Sequence, residues 1–114
     1  MTLRECYEQL GADYDDVLGR LMSETIIKKF AIKFIDDKSF VNLEQAMADN
    51  DANEAFRAVH TMKGICLNLG FDNLYKASSE LTEKLRGGEL DGSDELYENV
   101  KKEYVKTIDV IKQM

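Results

Sequence analysis

His60 is the only histidine in the chain. An imidazole serves as a general acid or base, a nucleophile or a metal ligand. One histidine cannot build a His-rich metal site, which leaves proton or group transfer. On an α-helix that advances about 100° per residue, Arg57 and Lys63 each fall about 60° from His60, on opposite sides, and Gly64 falls about 40° away, one turn on. Flanking cations suit an incoming phosphoryl group, which they would hold through charge-assisted hydrogen bonds. The chain as a whole is acidic, with 15 Lys+Arg against 22 Asp+Glu and a formal charge of −7. A local positive pair beside the single imidazole stands out against that background.

Gly64 is the second anomaly. A mid-helix glycine costs roughly 0.5–1 kcal/mol relative to alanine. With His60 as origin, Ala55, Ala58, Val59, Met62, Ile65, Cys66 and Leu69 form one continuous apolar stripe on the opposite side of the helix. The stripe must face a core, so His60 and Gly64 face solvent. Packing within the domain does not call for a glycine there. Removing a side chain one turn from His60 instead gives a partner's active site access to the imidazole. Phe56 and Leu67 lie on the same exposed face and suggest a docking surface.

These side chains need a helical scaffold, and the chain supplies one. It has no proline among 114 residues and seven glycines to punctuate it. Thr2 to Leu10 reads as a short helix with Thr2 as N-cap and Glu5 three residues on. Asp13 to Leu21 reads as a second. Ser23 to Asp36 carries Ile27, Phe30, Ala31, Phe34 and Ile35 at helical spacing. Ser39 is the expected cap of the next helix, with Phe40, Leu43, Ala46 and Met47 on one face. A polar link over 49–53 leads to the His60 helix, from about Asn53 to Leu69, with Gly70 as C-cap. The next helix carries Leu74, Ala77, Leu81 and Leu85. After Gly87 and Gly88, Ser93 is the expected cap of a last helix that buries Tyr97, Val100, Tyr104, Ile108 and Ile111. The expected class is all-α: an up-down-up-down antiparallel four-helix bundle over 23–111, with short N-terminal helices over 1–21 as a cap, in a single domain of 1–114.

The segment Ala58-Val59-His60-Thr61-Met62-Lys63-Gly64, followed by Asn68, Leu69 and Gly70, resembles the signature of histidine-containing phosphotransfer (HPt) domains. The Phe30…Phe34, Leu43…Ala46 and Leu74…Leu81 helices extend the resemblance over about residues 10–112. It implies a phosphorelay carrier in two-component signalling. His60 would accept a phosphoryl group from a receiver-domain aspartate and pass it to another receiver. Lys63 would stabilise the phosphoryl oxygens, and Gly64 would admit the receiver. Phe56, Arg57, Leu67 and Asn68 would line the binding face. Family members often add a polar side chain from the next helix; Ser78, Ser79 and Thr82 are the candidates here. No enzyme activity of its own is implied and no cofactor, because the divalent metal belongs to the receiver. Partners would be response-regulator receivers or a hybrid histidine kinase.

Other classes fit less well. The acidic balance argues against nucleic acid, whose phosphates need basic surface. No apolar run approaches the ~20 residues that span a bilayer, and the charged N-terminus lacks a signal-peptide core. Cys6 and Cys66 form no CxxC pair and read as free thiols of a reducing compartment. Cys66 lies on the core stripe, while Cys6 is the more accessible thiol. The chain therefore reads as cytoplasmic, free-standing and monomeric, without sustained heptads. Asp13, Asp15 and Asp16 read as helix-start caps and dipole partners rather than a metal site. The alternative is a small helical adaptor that binds a receiver or other partner through the same face without phosphotransfer.

Overall fold

The computed structural model describes all 114 residues. They form α1 (Leu3–Gln9), α2 (Tyr14–Leu21), α3 (Glu24–Lys33), a 3-10 turn (Phe34–Asp36), α4 (Ser39–Ala48), α5 (Ala52–Leu69), α6 (Asp72–Leu85) and α7 (Asp94–Ile111). The class is all-α, and no helix is long and apolar enough to cross a membrane.

Most helix starts follow from local chemistry. Thr2 and Glu5 form a reciprocal capping box on α1. Asp13, Ser23 and Asp51 cap α2, α3 and α5 through their side-chain oxygens. Two expected caps are different. Ser39 is the first residue of α4, and Asp37 takes the capping role by accepting from the Ser39 amide and hydroxyl. A carboxylate two residues upstream is a stronger acceptor than the serine hydroxyl and takes over the orphan donor. Ser93 flanks α7 but turns its hydroxyl back to the Leu90 carbonyl, at 2.6 Å, and caps nothing.

The helix count also shifts the boundary of the bundle. Residues 23–111 hold five α-helices, not four. The four that pack in sequence, α4 on α5, α5 on α6 and α6 on α7, begin at Ser39. Their links are too short for anything but antiparallel neighbours. α3 packs on α2 and lies against α5, so it belongs with the N-terminal helices as a flank.

Aromatic rings close the structure. Phe40 of α4 stacks on Tyr104 of α7, with centroids 4.0 Å apart and planes 8° from parallel. The run continues from Tyr104 to Phe34, to Phe71, to Tyr7 and to Tyr14, with centroids 5.2–6.1 Å apart. It crosses from the bundle to α1 and α2, and all seven helices contribute to one contiguous core. Tyr97, Tyr104 and Ile108 are half-buried at its edge rather than fully enclosed.

The C-terminus of α5 is pinned where these layers meet. Gly70 ends α5 at φ +78°, and a Cβ there would lie 2.3 Å from Cγ2 of the buried Val17. The Asn73 amide donates to the Leu10 carbonyl at 3.1 Å, and the Arg20 guanidinium donates to the Asn68 carbonyl at 3.1 Å. The two ends of α5 differ in what a substitution costs. Asp51→Ala removes one cap and should lose about 1 kcal/mol in urea unfolding. Gly70→Ala combines left-handed strain with an immovable neighbour and should lose roughly 2 kcal/mol or more. A Gly70→Ala loss no larger than that of Asp51→Ala would contradict this account of the corner.

Candidate functional site

α5 buries Ala55, Ala58, Val59, Met62, Cys66 and Leu69, and Ile65 is half-buried at the margin of that stripe. The helical repeat then leaves His60 on the outer face, where it is exposed. Gly64 is exposed one turn on, and a Cβ built there meets no atom within 4 Å. Nothing inside the molecule requires glycine at this position.

His60 has Phe56 of α5 beside it, and Phe56 in turn meets the end of α6. The Phe56 ring lies beside the imidazole, with centroids 5.6 Å apart and planes tilted by 34°. Phe56 is half-buried, so it is a shelf anchored on the core edge and not a free apolar knob. The Arg86 guanidinium lies over that ring, its Cζ 5.3 Å from the centroid. Arg86 also donates Nε to Glu83 Oε2 at 3.1 Å and Nη2 to Glu83 Oε1 at 3.0 Å. These bonds and the charge of Arg86 hold the Glu83 carboxyl below its ordinary range, with smaller contributions from Lys63 and His60. Lys63 is partly buried, as a lysine whose aliphatic stem lies along the helix surface would be.

The remaining expected residues divide. Leu67 is exposed at 54% on the His60 face, two turns along. Asn68 is exposed, and its carbonyl receives Arg20. Arg57 faces the groove between α4 and α5 and pairs with Glu54 at 3.2 Å, which offsets its charge. On α6, Ser78 and Thr82 are fully buried, and Thr82 donates to the Ser78 carbonyl, so neither reaches the imidazole. Ser79 is half-buried. Both cysteines are free and buried, Cys6 included, and burial pushes the Cys66 thiol far above its ordinary range. The N-terminal acids have structural partners: Asp13 caps α2, Asp15 pairs with Arg4 at 2.8 Å, and Asp16 with Arg20 at 3.2 Å.

Glu83 and Arg86 are the site residues that sequence reasoning missed. Their spacing of three marks an exposed pair on α6, but nothing in the sequence says which face of α5 that pair meets. A second feature also emerged only in three dimensions. A cleft of about 670 Å³ opens between α2–α3 and the C-terminal half of α5. Leu21, Phe30, Ile65 and Leu69 give it apolar walls, and Arg20 and Lys33 place cations at its rim. Phe30 remains 41% exposed there.

The arrangement combines an exposed imidazole, cations carried by α5 and by the end of α6, and open space beside Gly64. No curated protein and no solved structure matched the chain. The family model of the Hpt domain matches residues 37–113. That span begins just before α4 and runs through α7, taking in all four helices of the bundle and His60 on its second helix. The chain belongs to the Hpt domain family.

Proposed function

We propose that the protein is a phosphorelay carrier in two-component signalling with His60 as its phospho-acceptor. The observation that carries this reading is the pairing of an exposed imidazole with a neighbouring glycine that no internal contact requires. An imidazole nitrogen attacks the phosphorus of a receiver's phospho-aspartate. The N–P bond forms, the P–O bond to the carboxylate breaks with its electron pair, and the imidazole proton leaves to solvent. The step runs in reverse onto a second receiver. Such transfer depends on in-line positioning and charge neutralisation more than on covalent machinery. Lys63 supplies positive charge to the phosphoryl oxygens, and the receiver brings the divalent metal.

Docking area is available along the same helix: Leu67 is exposed on the His60 face, and the cleft walled by Leu21, Phe30, Ile65 and Leu69 opens on the flank beside Asn68. Phe56, by contrast, acts through His60 and Arg86 instead of as an independent contact.

The direct test incubates the protein with a phosphorylated receiver domain and follows acid-labile, base-stable label. Wild type should take up label and His60→Gln should not. Binding without label for every receiver offered would favour the adaptor reading. Gly64 gives a sharper test, because its two roles separate. Gly64→Ala should raise helix stability by about 0.5–1 kcal/mol, since the added methyl meets open space. Gly64→Gln should slow transfer at least tenfold at similar stability, and unchanged transfer would overturn the access argument. Lys63→Ala should also slow transfer, by roughly tenfold (one lost charge-assisted contact), at a small stability cost from its packed stem.

A further inference from the structure

We propose that Glu83 is a resident competitor for the phosphoryl group, occupying Arg86 while His60 is bare and releasing it when His60 is phosphorylated. This rests on the reading of His60 as acceptor and goes beyond it in assigning α6 a controlling pair of residues.

The geometry carries the argument in three steps. Phe56 links the two sites: its ring is 5.6 Å from the imidazole and bears the Arg86 guanidinium at 5.3 Å. Arg86 is therefore tethered to the ring that flanks the imidazole. Its guanidinium is nevertheless engaged, with two nitrogens donating to both oxygens of Glu83 in a fork. A guanidinium has five N–H donors, and the same fork that grips a carboxylate grips a phosphoryl group. Finally, the pair is easily exchanged. Both side chains are more than half exposed, at 54% and 58%, so water and salt screen their attraction. A phosphoryl group carries up to twice the charge of the carboxylate, so it competes for a guanidinium that swings into its reach.

Glu83 thus has two opposed effects. It keeps a cation parked next to an empty acceptor, and its own negative charge weighs against the phosphorylated state. Arg86 favours that state. A salt bridge that only holds the end of α6, out of reach of the phosphoryl group, would leave its titration midpoint unchanged on loss of either partner.

The test uses the whole protein and a small phosphodonor, so that no receiver is needed. Phosphoramidate phosphorylates the imidazole directly: the nitrogen lone pair attacks phosphorus, the donor's P–N bond breaks, and the imidazole proton ends on the departing ammonia. ³¹P NMR then follows titration of the phosphoryl oxygens in wild type, Arg86→Gln, Arg86→Lys and Glu83→Gln, with His60→Gln as the blank. Arg86→Gln should raise the phosphoryl midpoint by about 0.5 pH unit, and Glu83→Gln should lower it by a similar amount. Arg86→Lys, which keeps the charge, should restore most of the wild-type value. Equal midpoints in all four proteins, or shifts of the same sign for Arg86→Gln and Glu83→Gln, would refute the competitor role while leaving His60 as acceptor. An unlabelled wild type would overturn the acceptor reading itself, and the inference with it.

Discussion

The packing of α5 is the constraint on which the rest depends. Its stripe of Ala55, Ala58, Val59, Met62, Cys66 and Leu69 is covered by α4 on one side and α6 on the other, with α3 touching as well. A helix covered so completely on one side has a single outer face left. The 3.6-residue repeat then dictates that His60, Gly64 and Leu67 share it. Exposure of the imidazole is thus a by-product of burying its opposite side. The small residues of the stripe, two of them alanines, let neighbouring helices approach closely and keep that orientation fixed.

The N-terminal helices reinforce this arrangement from behind. The aromatic run from Tyr14 through Tyr7, Phe71, Phe34 and Tyr104 to Phe40 ties α1 and α2 to both ends of the chain's bundle. Gly70 and the Leu10–Asn73 hydrogen bond fix the corner where α5 turns into α6. These contacts sit away from the His60 face. The packed contacts and the exposed imidazole are thereby placed on different sides of one helix, and the departure from good helix chemistry falls at Gly64, on the exposed side.

Much of this was legible in the sequence because it is local. Apolar spacing placed His60 opposite the core, and the caps at Thr2, Asp13, Ser23 and Asp51 and the terminal Gly70 needed only neighbours within a few residues. What failed was competition or rotation. Ser39 and Ser93 have the right type for capping, but other acceptors captured their hydroxyls. The spacing on α3 could not show that it flanks the bundle instead of joining it. Helical angle alone pairs Arg57 with Lys63 about His60, yet Arg57 is engaged by Glu54 at 3.2 Å. The cation that lies over Phe56, the ring beside the imidazole, comes from the end of α6, 26 positions along the chain from His60. Its arrival depends on how α6 is rolled against α5, which no single-helix pattern encodes.

The position of Arg86 within α6 has a dynamic consequence. It is the residue at which the helix ends, and Gly87 and Gly88 follow it directly. The final carbonyls of a helix lack intrahelical partners, and backbone order falls off over its last turn. A guanidinium mounted there can swing through several ångströms by local rearrangement of that terminus, on the nanosecond scale of exposed side chains and loop ends. Leu85, just before it, is anchored in the core and takes no part. The bundle can therefore hold its shape while the charge at this corner moves, so the surface relief and the electrostatic pattern are set by separate parts of the fold.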